Sequence, residues 1–259
     1  MIYKAAAITH PGIETINEDN FFCNGIYKNN IEGPEFKAEI QADSKDSNVF
    51  AVFDGIGGLP GGASAALAAC EALCYSWSNN HDVGSAILEA DRQVMKAGFQ
   101  AGHTMGSTCV IVEEKEGRFR SWNIGDSRAY YYKAGELNRL SKDHTEAENA
   151  RRIQSLTGEV FPIPERYEHL LTQYLGAEKN AYMAEPFISP WIRKEKGSKI
   201  LLCSDGLYNY LSSKEIISVL EKKTTTLDKC RELITKVLSN RGRDNITVIL
   251  IEDEDQHLG

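Results

Sequence analysis

The sequence contains no apolar run long enough to cross a membrane. Its longest run, residues 246–251, is the length of a β-strand, whereas a membrane helix needs roughly 20 residues. Residues 1–10 lack the charged segment and long apolar stretch of a signal peptide. Basic residues are scarce: 29 Lys plus Arg face 37 Asp plus Glu, the net charge is −8, and no Lys/Arg cluster occurs. We therefore expect a soluble, cytoplasmic protein that binds neither nucleic acid nor a membrane.

The cysteines form no C-x-x-C pair and no regular framework of the kind that disulfide scaffolds and zinc sites show. There are six of them: Cys23, Cys70, Cys74, Cys109, Cys203 and Cys230. Without an export signal, this scatter is typical of buried, reduced thiols. Cys70 and Cys74 would lie one helical turn apart and could form half of a zinc site. No further Cys or His motif accompanies them, so core packing is the favoured interpretation.

What the sequence does contain is an ordinary globular composition, with 42% hydrophobic and 25% charged residues. Its 259 residues favour a single domain, 1–259. Short β-like runs recur at 2–8, 20–27, 48–53, 107–113, 118–124, 129–133, 199–203 and 245–251. Short polar turns separate several of them, which predicts antiparallel hairpins. The nearly continuous apolar run within the last one predicts a central strand covered on both faces.

Apolar residues recur at helical spacing in the segments 63–77, 85–99, 146–156, 212–220 and 226–240. The fourth segment opens with Ser212 and has Glu215 three residues later, which is the spacing of a capping box. Hairpins with amphipathic helices between them predict an α+β fold, in which helices pack outside one or two antiparallel sheets. Residues 28–48 are polar and contain Gly33-Pro34, and we predict an inserted surface loop there.

Acidic residues stand at the ends of four predicted strands. They occur in the pairs Glu18-Asp19, Asp54-Gly55, Asp205-Gly206 and Asp244-Asn245. One Asp-Gly pair at a strand end is more often a turn than a metal ligand. Four acidic sites that converged would repel one another, and a hard divalent cation such as Mg²⁺ or Mn²⁺ relieves such repulsion through oxygen ligands. Two such ions about 3.5–4 Å apart can activate a water for attack on phosphorus.

The glycine-rich stretch 55–62 lies between a predicted strand and a predicted helix, where phosphate-binding loops occur. It matches neither nucleotide motif. Pro60 stands where G-x-G-x-x-G needs its third Gly, and Ala63-Ser64 replaces the Lys-Ser/Thr pair of Walker A. Nucleotide binding is therefore not indicated.

Eight short motifs follow one another along the chain. They are Asn17-Glu18-Asp19, VFDGIGG at 52–58, Gly106-Ser107-Thr108, NIGDSRA at 123–129, Lys142-Asp143-His144, Tyr174-Leu175-Gly176, LCSDGL at 202–207 and GRDNITV at 242–248. In this order they resemble the motifs of the type 2C protein phosphatases, the metal-dependent PPM family, in its bacterial form. The resemblance implies an α-β-β-α sandwich of two antiparallel β-sheets flanked by helices. It also implies hydrolysis of phosphoserine and phosphothreonine in proteins, without a covalent phosphoenzyme, and a partner Ser/Thr kinase whose action the enzyme counters.

The resemblance further implies a centre of two Mg²⁺ or Mn²⁺ ions between the sheets, at one edge. By position in the motifs, Asp54 would bridge the two ions and Gly55 would contribute its backbone carbonyl. Asp205 and Asp244 would complete the second metal site.

The resemblance also implies roles for other acids near this centre. Glu18 and Asp19 would bind metal directly or through water, and Asp143 would hold a weaker third ion together with Asp205. Asp126 is assigned to a structural turn and is left out of the site. Residues 146–170 fall where the family has a flap beside the active site. The catalytic residues that the resemblance implies are Glu18, Asp19 and Asp54.

Two departures from the family pattern concern the substrate. The family usually carries a phosphate-binding Arg four residues before the Glu of the first acidic motif, whereas this chain has Glu14, which would repel a dianionic phosphate. Ile56 stands where many animal members have a His, which is compatible with a bacterial-type enzyme. The cations that could replace the Arg are Lys28, Arg151, Arg152 and Arg243. Solvated or structural roles are assigned to His10, His81, His103, His169 and His257, and His144 is a weak candidate for leaving-group protonation.

Two alternatives to a protein phosphatase remain open at this point. The first is a pseudophosphatase, a binding or regulatory module on the same fold, which Glu14 favours and the intact acids at the metal positions disfavour. The second is a phosphatase of a small phosphorylated molecule.

Overall fold

A computed structural model describes residues 2–30, 35–43, 45–177 and 185–253 of the chain. The strands are β1 (Ile2–His10), β2 (Asn20–Cys23), β3 (Ile26–Tyr27), β4 (Phe36–Asp43), β5 (Asn48–Phe53), β6 (Cys109–Lys115), β7 (Arg118–Ile124), β8 (Arg128–Lys133), β9 (Glu136–Arg139), β10 (Phe187–Ile188), β11 (Ile192–Arg193), β12 (Lys199–Cys203) and β13 (Ile246–Asp253). The helices are α1 (Gly62–Asn80), α2 (Val83–Ala101), α3 (Glu146–Thr157), α4 (Asp205–Tyr208), α5 (Ser213–Leu220) and α6 (Thr226–Ser239), with a 3₁₀ turn at Glu165–Glu168.

The strands form two antiparallel sheets. The first has the order β4-β1-β13-β12-β8-β9, and the second has the order β10-β7-β6-β5-β2-β3, with β11 also pairing with β7. In the first sheet, Leu250 of β13 lies opposite Ala6 of β1 and Leu201 of β12. Strand β13 is therefore central, and its residues from Ile246 to Glu252 are all buried. The prediction of a central strand covered on both faces is confirmed.

Three apolar clusters define four layers. One cluster lies between the two sheets and includes Tyr3, Phe50 and Ile249. A second joins the second sheet to α1 and α2, and a third joins the first sheet to α5 and α6. The arrangement is helix, sheet, sheet, helix, so the predicted α-β-β-α sandwich is confirmed.

The predicted helices occur where their apolar periodicity placed them, and α1, α2, α5 and α6 bury their apolar stripes on the sheets. In α1, Ala66, Cys70 and Leu73 are fully buried. The predicted capping box also forms: the Ser212 hydroxyl accepts the Glu215 N–H, and the Glu215 carboxylate accepts the Ser212 N–H at 2.8 Å. None of the helices in the described ranges is long and apolar enough to span a bilayer.

The prediction of an inserted surface loop over residues 28–48 is wrong for part of that stretch. Strand β4 occupies eight of these residues and pairs with β1 at the edge of the first sheet. Its polar side chains, such as Lys37 and Glu39, are exposed, while Ala38 and Ala42 are buried against the core. Buried and exposed residues alternate along β4 with a period of two, as in an edge strand. The charged side chains on its exposed face made this pattern hard to recognise in the sequence.

The cysteine prediction holds for the described structure. All six cysteines are free thiols, and five of them are buried, Cys74 being the one of intermediate exposure. The Cys70 thiol donates to the Phe21 carbonyl across the α1 interface. Core packing accounts for this helical pair without a metal.

The cluster between the sheets predicts that substitutions at two phenylalanines will have very different effects on stability. Phe50 is fully buried there, whereas Phe99 on α2 is 90% exposed. Replacing Phe50 by Ala removes a buried ring and should lower the free energy of unfolding by about 3–5 kcal/mol, or prevent folding. The matched change Phe99→Ala should alter it by less than about 0.5 kcal/mol. Denaturant titration measures both, and a loss below about 1 kcal/mol for Phe50→Ala would contradict this packing.

Candidate metal centre

The four predicted acidic segments meet at one edge of the sandwich, around a cavity of about 210 Å³. The described residues that line it are Glu18, Asp54, Gly55, Ile56, Gly57, Thr108, Asp126, His169, Leu171, Asp205, Asp244 and Asn245. A larger groove of about 480 Å³, at the C-terminal end of α2, has no carboxylate among its described lining residues. The acids therefore converge in the smaller cavity.

Asp54 is fixed by its backbone at the end of β5. Its N–H donates to the Thr108 hydroxyl, and its carbonyl accepts the Thr108 N–H at 2.8 Å and the Ser107 hydroxyl at 3.1 Å. Gly55 is required at the next position because a Cβ there would lie 2.3 Å from the Gly62 carbonyl oxygen. This close packing directs the Asp54 carboxylate into the cavity.

Glu18 lies at the N-terminus of α1, where backbone N–H groups favour an anion. Its carboxylate accepts the N–H groups of Gly62 and Ala63. A Cβ at Gly62 would lie 2.7 Å from Glu18 Oε1, so the glycines leave room for this carboxylate. Burial raises the pKa of Glu18, and the two N–H groups act against that rise. The glycine-rich stretch therefore accommodates a carboxylate of the chain itself.

Asp19 is a buried acid that links the two sheets. One of its oxygens accepts the hydroxyls of Ser204 at 2.8 Å and Thr247 at 2.7 Å, both from the first sheet. Burial raises the pKa of Asp19 to about 7, although these two hydrogen bonds act against the rise. Lys28, also buried, donates to the Asn17 carbonyl at 2.8 Å, and its charge favours the ionised form of Asp19.

Two glycines allow close backbone packing around Asp205 and Asp244. Gly206 packs the Asp205 segment against the Asp244 segment, and Gly12 packs the segment after β1 against Asp244. A Cβ at Gly206 would lie 1.9 Å from the Asn245 carbonyl oxygen, and one at Gly12 would lie 2.0 Å from the Asp244 carbonyl oxygen. The Asn245 amide accepts the Glu18 N–H at 2.7 Å and donates to the carbonyls of residues 11 and 16. The first acidic segment is thereby tied to the start of β13.

Neighbouring acids raise the pKa of Asp54 and Asp205. Burial raises the pKa of Asp54 well above its ordinary value, and Asp19, Asp205, Asp126 and Asp244 raise it further. Burial and the charge of Asp126 do the same for Asp205. A hard divalent cation fits this set, because it takes oxygen donors and offsets the repulsion. Across the described residues, no group of three or more His, Cys, Asp or Glu side chains is placed to hold a metal ion by itself.

Comparison with known proteins agrees with this geometry. Residues 17–246 match the family described as Protein phosphatase 2C. The chain belongs to the protein phosphatase 2C family. The resemblance inferred from the eight motifs is therefore confirmed, as is the predicted enzyme class, a metal-dependent protein serine/threonine phosphatase.

Relatives of this phosphatase 2C chain come from several bacteria. The serine/threonine phosphatase stp of Listeria monocytogenes (serovar 1/2a, strain EGD-e) is 28% identical over 248 residues, which cover 91% of this chain and 90% of the relative. Over 237 residues, PstP of Mycobacterium tuberculosis (strain H37Rv) is 27% identical, and the match covers 85% of this chain and 44% of PstP.

Solved structures share the phosphatase 2C fold of this chain. The serine/threonine phosphatase of S. agalactiae superposes with a TM-score of 0.76 at 24% identity, over 97% of this chain and 100% of that one. The catalytic domain of PstP in complex with two manganese ions superposes with a TM-score of 0.73 at 24% identity, over 97% and 99%.

Two acids of this phosphatase 2C chain lie differently from the sequence prediction. Asp143, predicted to hold a third ion, is not among the lining residues: its carboxylate accepts Arg128 at 2.7 Å and Arg139 at 2.9 Å. Asp126, assigned to a structural turn, lines the cavity instead. Burial and the charge of Asp143 raise the pKa of Asp126 to about 6. The three-residue motif that contains Asp143 does not show that this acid pairs with two arginines.

The sequence prediction also missed His169. This residue follows the 3₁₀ turn within the predicted flap, 146–170, and lines the cavity beside the acids. Among the predicted cations, Lys28 is buried against Asn17, and Arg151 pairs with Glu148 and Glu168. No local motif marks His169, because the fold brings it to the cavity from a distant part of the chain.

The placement of Asp143 and Asp126 predicts opposite effects of two matched substitutions. Asp143→Asn weakens two ion pairs that are only partly exposed and should lower the free energy of unfolding by about 1–3 kcal/mol. Asp126→Asn removes a repelled charge and should not destabilise the metal-free protein, but should raise the Mn²⁺ concentration needed for activity. Denaturant titration and metal titration measure these effects. If Asp143→Asn kept full stability and itself weakened Mn²⁺ activation, the original assignment of Asp143 to a metal would be right.

Proposed function

We propose that this chain hydrolyses phosphoserine and phosphothreonine in proteins, using divalent cations held by Asp54, Gly55, Asp205 and Asp244. The observation that carries the proposal is the convergence of five carboxylates on one cavity at the edge of the sandwich. Without a cation, burial and neighbouring acids disfavour the ionised forms of Asp54 and Asp205. This arrangement is costly unless a ligand of opposite charge binds there.

Two ions, Mn²⁺ or Mg²⁺, are proposed from this donor set. Asp54, Asp205 and Asp244 would hold them through carboxylate oxygens, and Gly55 would contribute its backbone carbonyl. Among the described residues, no group of three or more His, Cys, Asp or Glu side chains is positioned to hold a metal ion, so waters would supply many of the ligand positions, as both ions prefer. When bound, such ions lower the pKa of a coordinated water and offset the charge of a phosphate ester.

The side chains of the cavity favour water as the nucleophile. Thr108 is the one hydroxyl residue among the described lining residues, and its Oγ1 already contacts Ser127 Oγ at 2.7 Å and accepts the Asp54 N–H. It is therefore poorly placed to form a covalent phosphoenzyme. Glu18, held by the N-terminus of α1, is placed to orient a water and accept a hydrogen bond from it. The buried Asp19 is placed to keep this loop aligned with both sheets.

A weaker third ion is proposed at Asp126 and Asp205. The charge of Asp126 is the largest electrostatic cause, after burial, of the raised pKa of Asp205, which indicates that the two carboxylates are close. Asp143 supports this position indirectly. It holds Arg128, whose guanidinium lies 3.5 Å from the centre of the Tyr208 ring, and the Tyr208 hydroxyl donates to the Asp126 carbonyl.

Phosphoproteins are the proposed substrates, and a Ser/Thr kinase of the same cell is the proposed source of the phosphate. The cavity opens at an edge of the sandwich where Asp244 is exposed, beside the segment 146–170. Such an open site suits a phosphorylated side chain on a large partner. The predicted cytoplasmic location remains a prediction.

Glu14 favours a second candidate function, a regulatory module that binds a partner without turnover. Its side chain is exposed, and its charge contributes to the raised pKa of Glu18, so it lies on the acidic side of the cavity. An acid there opposes the binding of a phosphate dianion.

The proposal predicts turnover of a phosphothreonine peptide that rises with Mn²⁺ and is abolished by EDTA. Asp54→Asn should reduce kcat at least about 100-fold, the size of effect expected when a charged catalytic group is lost. Because Asn removes a repelled charge, the variant should stay folded. The matched control is Asp46→Asn, an exposed acid in the turn before β5, which should keep full activity.

The outcomes separate the candidates. Mn²⁺-dependent turnover that is lost in the Asp54 variant supports the phosphatase. Turnover of small phosphate esters but not of the peptide would indicate a phosphatase of small molecules. Calorimetric Mn²⁺ binding without any turnover would contradict the proposal and favour the binding module.

A further inference from the structure

The cavity of the metal centre is strongly acidic, yet the reaction proposed for it requires a bound phosphate dianion. Five of its described lining residues are carboxylates: Glu18, Asp54, Asp126, Asp205 and Asp244. One lining residue, His169, has a side chain that can carry positive charge. Even the three divalent cations proposed above would not exceed the charge of these five acids together with Asp19 and Glu14. Phosphate binding therefore needs a hydrogen-bond donor from the chain.

Several other cations near the cavity already have partners in the described structure, whereas the exposed Arg243, next to Asp244, is a competing donor. Arg128 and Arg139 both bind Asp143, and Lys28 is buried with its ammonium on the Asn17 carbonyl. Arg151 pairs with Glu148 and Glu168. None of these groups is among the described residues that line the cavity.

His169 differs from these cations because its ring is available. The side chain is exposed, and no other described residue forms a hydrogen bond or ion pair with its ring. Its charge acts on Asp126, lowering the pKa of that carboxyl, so the ring lies within electrostatic reach of the acids. A neutral imidazole has one N–H donor and a protonated one has two, so His169 can donate to a phosphate oxygen in either form.

The backbone on both sides of His169 is anchored. Glu168, before it, pairs with Arg151 of α3. Leu170, after it, accepts the Glu146 N–H at 2.9 Å, and the Thr172 N–H donates to the His144 carbonyl at 2.9 Å. These contacts hold the backbone that carries the imidazole beside the cavity, which reduces the entropy lost when the ring binds a ligand.

We propose that His169 is a substrate-binding residue, which donates an N–H to a phosphoryl oxygen of the substrate. It would take the place of the family's phosphate-binding Arg, at whose position this chain has Glu14. This inference rests on the proposed phosphatase function and adds a contact to it. The chemical class that the group recognises is a phosphate monoester, and inorganic phosphate, the product, should be held by the same contact.

The test compares His169→Ala and His169→Arg with the wild-type enzyme, at saturating Mn²⁺. In the alanine variant, KM for a phosphothreonine peptide and the inhibition constant for inorganic phosphate should both rise, each about tenfold or more, the effect of losing a hydrogen bond to a charged group. The arginine variant should restore both constants toward their wild-type values. His103→Ala, at another exposed histidine, is the matched control and should change neither constant.

Two further measurements make the result specific. The Mn²⁺ affinity, measured by calorimetry, and the melting temperature should stay unchanged in His169→Ala, because the residue is proposed to contact phosphate and not metal. Arg243→Ala, at an exposed cation next to Asp244, tests the competing donor.

Unchanged KM and phosphate inhibition in His169→Ala, or a larger rise of both constants in Arg243→Ala, would overturn the proposal for His169. A wild-type enzyme without Mn²⁺-dependent turnover would instead overturn the proposed function, so the two failures can be told apart.

Discussion

The mutual repulsion of carboxylates held between two sheets is the constraint on which this structure depends. Asp54 and Asp205 sit at the ends of buried strands, where burial and neighbouring acids disfavour their charge. Much of the surrounding chain holds these two carboxylates at the cavity. Glycines such as Gly55 and Gly206 allow backbones to approach within distances that no Cβ permits. A bound cation would relieve this repulsion, and that relief would contribute to the free energy of binding.

A second set of contacts stabilises the two acids of the first acidic segment, Glu18 and Asp19. Asp19 receives two hydroxyl groups from the first sheet and lies near the buried Lys28, and Glu18 receives two N–H groups from the N-terminus of α1. These contacts offset part of the cost of burial and orient both loops. They also explain why the glycine-rich stretch after Asp54 matches no nucleotide motif: its backbone N–H groups bind a carboxylate of the chain itself.

Local sequence patterns were sufficient to predict most of the fold. Strand β13 and helix α1 bury long apolar stretches, so their periodicity was clear, and the acids at strand ends marked the site because a sheet brings such ends together. Strand β4 was missed because an edge strand exposes charge on one face. Tertiary packing places Asp126 in the cavity and pairs Asp143 with Arg128 and Arg139, and a short motif does not show such packing. His169 was missed because its position depends on how α3 and the 3₁₀ turn fold over the cavity.

The number of protons released when Mn²⁺ binds tests the central claim most directly. Calorimetric titration at pH 7, in buffers of different ionisation enthalpy, measures it. Burial raises the pKa of Asp19 to about 7, and burial and neighbouring acids raise the pKa of Asp54 and Asp205 in the same direction, so a cation that binds there should displace protons. We predict release of about one proton or more per chain, and a weaker apparent Mn²⁺ affinity as the pH falls toward 6. Binding heats that do not depend on the buffer, with an affinity that does not change with pH, would contradict the account.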